Sequence, residues 1–178
     1  MSRSIPTKTK ILNAAEQLFA TSGFAETSMR EITAKAGVNL AAINYHFGST
    51  KDLTIAVIDR YLSQLLPEIE SGLKQLRSAS NSQSVKQVFE CFISPLLNLE
   101  RINKGGTVCF LSLLGRGYVD VQGHLRRFIT HTYRRELDFI MNALHQSAPH
   151  LTREELFWQV HFTLGTSVFA LASSNALM

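Results

Sequence analysis

Apolar positions repeat with a helical period along almost the whole chain. Ile11, Leu12, Ala15, Leu18 and Phe19 recur at the spacing of an amphipathic helix, 3.6 residues per turn. Gly23 is placed to end that helix as a left-handed cap, with Phe24 behind it for the hydrophobic contact. Ser28 and Glu31 stand at capping-box spacing and start a short second helix, with Ile32 and Ala36 inward and Gly37 as its stop. Asn39 is the next good N-cap, and a third short helix follows over 40–46, with Ile43 and Phe47 on one face. Ser49 and Asp52 repeat the capping-box spacing and open a long fourth helix. Leu53, Val57, Tyr61 and Leu65 mark its buried side, and Pro67 is expected to kink or end it.

The second half continues in the same period. Residues 78–84 are rich in Ser, Asn and Gln and read as a loop. Residues 85–99 read as a helix interrupted at Pro95. Gly105-Gly106 is a turn, and an apolar block over 108–114 ends at Gly115 and Gly117. From Leu125 through Phe128, Ile129, Tyr133, Leu137, Ile140 and Leu144 the spacing predicts one long amphipathic helix. Thr152 and Glu155 open a last helix with Leu156, Val160, Leu164, Val168 and Leu171 on its inner face. No strand-like alternation, repeat or low-complexity segment interrupts this. The chain is predicted to be all-α, with eight or nine helices.

Composition narrows the class. The 178 residues are 45% hydrophobic and 18% charged, which excludes an intrinsically disordered chain and fits one or two domains. No apolar run is long enough to span a bilayer, and no basic start leads into an apolar stretch, so no membrane partner and no secretory signal are expected. Two cysteines, Cys91 and Cys109, make neither a disulfide framework nor a zinc site and fit a reducing, cytoplasmic setting. No phosphate loop, nucleophile elbow or metal-ligand cluster appears, so neither catalysis nor a metal or cofactor is expected. The net charge of +4 hints at an acidic partner. Six Lys/Arg against four Asp/Glu in residues 1–52 make the N-terminal part only mildly basic. Residues 1–10, with Arg3, Lys8 and Lys10, read as a basic arm.

The informative segment is SMREITAKAGVNLAAINYHFGSTKD, two short helices joined by a tight Gly-containing turn. That is helix-turn-helix spacing. The first helix braces and the second must offer a solvent face able to enter a major groove. With Ile43 and Phe47 inward, Leu40, Ala41, Asn44 and Tyr45 face out. Ala41 and Ala42 let the backbone approach base edges, Asn44 can hydrogen-bond a base, and Leu40 or the alanines can touch thymine methyls. Tyr45, His46 and groups at Thr27, Ser28 and Asn39 near helix N-termini suit phosphates. A generic helical hairpin has the same spacing, so on spacing alone DNA binding and plain packing are about equally supported.

The run ILNAAEQLFATSGFAETSMREITAKAGVNLAAINYHFGSTKDL resembles the DNA-binding unit of the TetR family of transcriptional repressors. Further segments, QGHLRRFI and ELFWQVHFTLG, resemble its fatty-acid-responsive branch. The resemblance implies a helix-turn-helix domain over 1–48 and an effector-binding and dimerisation domain over 49–178. It implies a homodimer on a palindromic operator of double-stranded DNA, probed and released by a small-molecule effector, a long-chain fatty acid or acyl thioester. The regulated genes would be those of fatty-acid breakdown. Where the family usually has a Lys at the start of the fourth helix, this chain has Thr50, and Lys51 follows as the candidate phosphate contact. The family's final helix is expected to be absent, since the chain stops at Met178.

For the effector, Phe89, Phe92, Phe110, Leu114, Phe128, Trp158 and Phe162 are candidate walls of an apolar tunnel, with core packing as the alternative. Arg116, His161, His124 and Arg127 are candidates for a carboxylate head. Two rivals stay open: a TetR-type regulator of drug efflux with an aromatic or cationic effector, which needs buried acids, and a helical lipid-binding protein with no DNA role.

Overall fold

The computed structural model describes residues 5–79, 83–118 and 123–174, and every element among them is helical. Nine α-helices follow in order: α1 (Thr7–Ser22), α2 (Met29–Ala36), α3 (Leu40–Phe47), α4 (Thr50–Ala79), α5 (Val85–Asn98), α6 (Gly106–Tyr118), α7 (His124–Thr132), α8 (Arg134–Ser147) and α9 (Arg153–Ser174). A single 3-10 turn (Leu99–Arg101) joins α5 to the segment before α6. Arg3 of the expected basic arm, and part of the expected loop at 78–84, lie outside the described residues. Lys8 and Lys10 belong to the first turns of α1.

The first three helices converge on a small core. Ile11, Ala15 and Phe19 of α1, Ile32 of α2 and Ile43 of α3 are fully buried and meet Leu53 and Val57 of α4. Each of the Ile, Leu, Val and Phe side chains among them stabilises the fold by about 1.5–3 kcal/mol relative to exposure. Phe24 packs on Phe19 with ring centroids 5.1 Å apart, the contact expected behind the Gly23 turn.

Four sequence expectations about continuity are corrected. Helix α4 runs unbroken through Pro67, because Leu65, Leu66, Ile69 and Leu73 around it are buried and tertiary packing outweighs one lost backbone bond. Helix α5 likewise continues through Pro95, which is itself buried. Helix α6 passes Gly115 and Gly117 and reaches Tyr118. The single long helix expected from Leu125 is two helices. They break at Tyr133, whose hydroxyl donates to Asp59 Oδ1 of α4 at 2.5 Å and ties the break to the longest helix.

Helix α1 is fastened to the rest of the molecule by polar groups. Glu16 is only 3% exposed and pairs with Arg60 of α4 at 3.3 Å. The Asn103 amide donates to Glu16 and, at 3.0 Å, to the Tyr61 hydroxyl. Burial pushes the Glu16 carboxyl up, and the Tyr61, Arg60 and Asn103 contacts oppose that. The Cys109 thiol lies in the same cluster and is pushed up to about 11, chiefly by burial. It is therefore a protonated packing group at neutral pH.

Helix α9 opens with the expected capping box: the Thr152 hydroxyl accepts from Glu155 N at 3.2 Å, and the Glu155 carboxylate accepts from Thr152 N at 2.8 Å. Its inner face is shorter than predicted. Leu156 is buried and Val160 half-buried, whereas Leu164 is exposed; the side chains of Val168 and Leu171 lie outside the described residues. The helix touches α6 and α8 along one side and leaves the other in water. No helix among the described residues is long and apolar enough to cross a membrane.

Candidate nucleic-acid interface

The segment from Ser28 to Asp52 is built from local hydrogen bonds that its sequence encodes. The Ser28 hydroxyl accepts from Glu31 N at 3.2 Å, and the Glu31 carboxylate accepts from Ser28 N at 2.8 Å. That backbone bond and the Ser28 hydroxyl hold the Glu31 carboxyl below the usual range. Gly37 ends α2 with φ 65° and ψ 41°, a left-handed conformation that a side chain disfavours. The Asn39 side-chain oxygen then accepts from Ala42 N at 2.9 Å and caps α3. Ser49 caps α4 through a 3.1 Å bond from Asp52 N. Three successive helix starts are thus fixed within 25 residues of chain, and Ile32, Ile43 and Leu53 seat the three helices on one core.

The face α3 presents to water matches expectation. Leu40, Ala41 and Asn44 are exposed and Tyr45 is 86% exposed, the most exposed large side chain described. Ile43 is fully buried beneath them. His46 is half-buried with its ring edge-on to Tyr45, centroids 5.1 Å apart. Ala42 is also half-buried and packs against the core, so Ala41 is the small residue on the open face. Lys51 is exposed at the start of α4. Lys8 of α1 sits 5.8 Å from the centre of the Phe47 ring, which places a cation beside the end of α3. Nothing in the local spacing announces that contact, because its partners lie on different helices.

One candidate moves inward. Thr27 is buried, and its hydroxyl donates to Gly23 O at 2.7 Å, bracing the turn between α1 and α2. The hydroxyl's one donor is thus used inside the turn. Ser28 and Asn39 are exposed, with their side chains engaged as caps.

The effector candidates do not gather at one site. Phe110 is core: it is buried and stacks on Tyr61 with centroids 5.2 Å apart. Phe92, Leu114 and Phe128 are half-buried and pack against that core, while Phe89 lies at the surface of α5 beside Phe92. Trp158 and Phe162 are exposed on α9, stacked on each other at 6.1 Å, so they line no interior wall of this chain. His161 sits against the Phe157 ring, centroids 3.7 Å apart. Arg116 is engaged at the end of α1, where its guanidinium donates to Ala20 O and Thr21 O. Among the described residues no group of His, Cys, Asp and Glu could hold a metal ion.

This arrangement is that of a helix-turn-helix unit carried on a larger helical domain. The sequence model described as "Bacterial regulatory proteins, tetR family" matches residues 11–57, and that described as "Tetracyclin repressor-like, C-terminal domain" matches 90–178. The chain belongs to the TetR family of bacterial regulatory proteins, a class of DNA-binding transcriptional regulators. It is 30% identical over 84 residues to the Bacillus subtilis protein named "Probable HTH-type transcriptional regulator YttP", a stretch covering 47% of this chain and 41% of that one. The matched stretch is thus well under half the length of that relative. In fold it is similar to the fatty acid degradation regulator FadR from Bacillus halodurans, with TM-score 0.71, 15% identity, 98% of this chain and 89% of that one. It is similar also to FadR from Bacillus subtilis in complex with stearoyl-CoA, with TM-score 0.63, 20% identity, and coverage of 94% and 93%.

Proposed function

We propose that this chain is a ligand-responsive transcriptional repressor that binds a palindromic operator as a homodimer and is released by a long-chain fatty acid or acyl thioester. The observation that carries the DNA half is the exposed face of α3. Leu40, Ala41, Asn44 and Tyr45 stand outward over a fully buried Ile43, on a helix fixed by caps at both ends. Asn44 is the group suited to a base edge, and Tyr45, His46 and Lys51 are suited to phosphates. In a dimer the two α3 helices must lie about 34–36 Å apart to enter successive major grooves. An effector that prefers a conformer with another separation weakens operator binding by its differential affinity.

The acyl effector is supported by likeness in fold to two FadR regulators, one holding stearoyl-CoA, and by the half-buried Phe92, Leu114 and Phe128 around the core. Buried methylenes contribute about 0.8 kcal/mol each, so an apolar slot suffices for affinity. A cationic drug would require a free buried acid. The buried acids Glu16 and Glu70 are each already paired, with Arg60 and with Lys74 and Arg135. The test is fluorescence polarisation of a duplex selected from a random library, with stearoyl-CoA and oleate titrated in. Release by either supports the reading. Binding that survives saturation with both removes the lipid effector and leaves DNA binding standing.

A further inference from the structure

Helix α1 has no basic residue in its last turn. Its final carbonyls lack intrahelical partners and carry partial negative charge. The missing cation arrives from far along the chain. Arg116, in the last turn of α6, donates through Nε to Ala20 O at 3.1 Å and through Nη2 to Thr21 O at 2.7 Å. Gly23 makes room for this. A β-carbon there would stand 3.1 Å from Arg116 Nη1, and φ of 98° already disfavours a side chain. Farther up α1, Arg60 of α4 donates to Asn13 Oδ1 at 2.6 Å and Glu16 Oε2 at 3.3 Å. Two arginines from the larger domain therefore grip α1, and α1 carries α2 and α3 through Ile11, Ala15 and Phe19.

The two grips differ in how they can act. Glu16 is buried, so breaking its pair strands a charge in the interior and endangers the fold. Arg116 is exposed, and its bonds to α1 go to carbonyl oxygens. Such bonds need a donor–acceptor distance of about 2.7–3.2 Å and weaken steeply once the N–H···O angle falls below about 120°. A small shift of α6 thus releases or restores the Arg116 clamp without unfolding anything.

We propose that Arg116 is a positioning residue for DNA recognition: from α6 it clamps the C-terminal carbonyls of α1 and couples the orientation of the α2–α3 unit to the position of α6. This rests on the reading of the chain as an effector-released DNA-binding protein. The test uses the full chain with Arg116→Gln, Arg116→Lys and Arg116→Met, the last keeping an apolar stem and removing every donor. Two quantities are measured: amide hydrogen exchange in the free protein, and the ratio of duplex Kd with and without stearoyl-CoA. The clamp predicts that Arg116→Gln speeds exchange about tenfold from the end of α1 through α3 while α8 is unchanged. It also predicts that the stearoyl-CoA ratio falls to less than half its wild-type value, with Arg116→Lys between the two. A merely stabilising role speeds exchange in all helices together and leaves the ratio alone, which overturns the proposal. So does wild-type exchange in α1–α3 of Arg116→Gln, or of Arg116→Met should the Gln variant not fold. If stearoyl-CoA has no effect on the wild type, the effector reading fails, and the exchange result alone upholds or overturns the clamp.

Discussion

Helices α3 and α9 both turn a face to water, and beyond the first turn of α9 neither face carries a Lys, Arg, Asp or Glu among the described residues. On α3 the exposed groups are an amide, a phenol, a methyl and one leucine, spread over eight residues. On α9 they are Phe157, Trp158, Phe162, Leu164 and Phe169, with Phe162 66% and Phe169 73% exposed, and no Lys, Arg, Asp or Glu occurs from residue 156 to the end. The α3 face offers directional hydrogen bonds on a rigid, capped rod, which suits a polar partner that is read by geometry. The α9 face offers area without direction, the chemistry of a surface that is covered by another apolar surface. On the proposed function the first surface reads and the second assembles, and each should then fail in its own way.

The largest expected effect is on α9. Phe162→Arg puts a charge in the middle of the aromatic face and is expected to convert a dimer to monomers in sedimentation equilibrium. Duplex affinity should fall by about 10²–10⁴, because each half-site is then bound alone. Circular dichroism should stay unchanged. A monomeric wild type would break the comparison outright. Next, Ile43→Ala removes the anchor beneath α3 and should lower stability by about 2–5 kcal/mol in denaturant titration. A much smaller cost would mean that α3 is not fixed from below.

On the reading face itself the effects are smaller and differ in kind. Asn44→Ala is expected to cost about 1–3 kcal/mol on the preferred duplex and little on others, whereas Tyr45→Ala should weaken all duplexes alike. Equal losses for both across a panel of sequences would erase that division. The smallest effect concerns the junction. Cys109 has its pKa raised in the folded state to about 11 from a reference of 9.0. The neutral thiol's contribution to stability is therefore complete below about pH 9 and is lost as pH rises towards 11. Melting temperatures measured across that range should fall less for Cys109→Ala than for wild type, and the wild-type thiol should react slowly with alkylating reagents at pH 8.

What the sequence made legible was local. The capping pairs Ser28–Glu31 and Thr152–Glu155, the Asn39 cap and the inward Ile43 all depend on neighbours within four residues, and all appear as read. The errors are contacts set at a distance. The break at Tyr133 is made with Asp59, 74 residues away, and Arg116 finds its acceptors 95 and 96 residues away. Thr27 is a local exception: its hydroxyl donates to Gly23 O only four residues back, across a turn whose shape is not written in a spacing rule. Pro67 and Pro95 were overruled by the burial around them. The aromatics of α9 show the limit most plainly. Period and composition report that a helix has an apolar face, and they are silent on whether the same chain covers it.

The central claim is that the exposed face of α3 reads duplex DNA. The most direct measurement is a salt titration of duplex binding for wild type and Tyr45→Ala, on a duplex selected from a random library. The account predicts that wild-type affinity falls steeply and log-linearly as salt rises from about 50 to 200 mM, and that Tyr45→Ala binds more weakly at every salt concentration. Salt-independent binding, or indistinguishable curves for the two proteins, would contradict it.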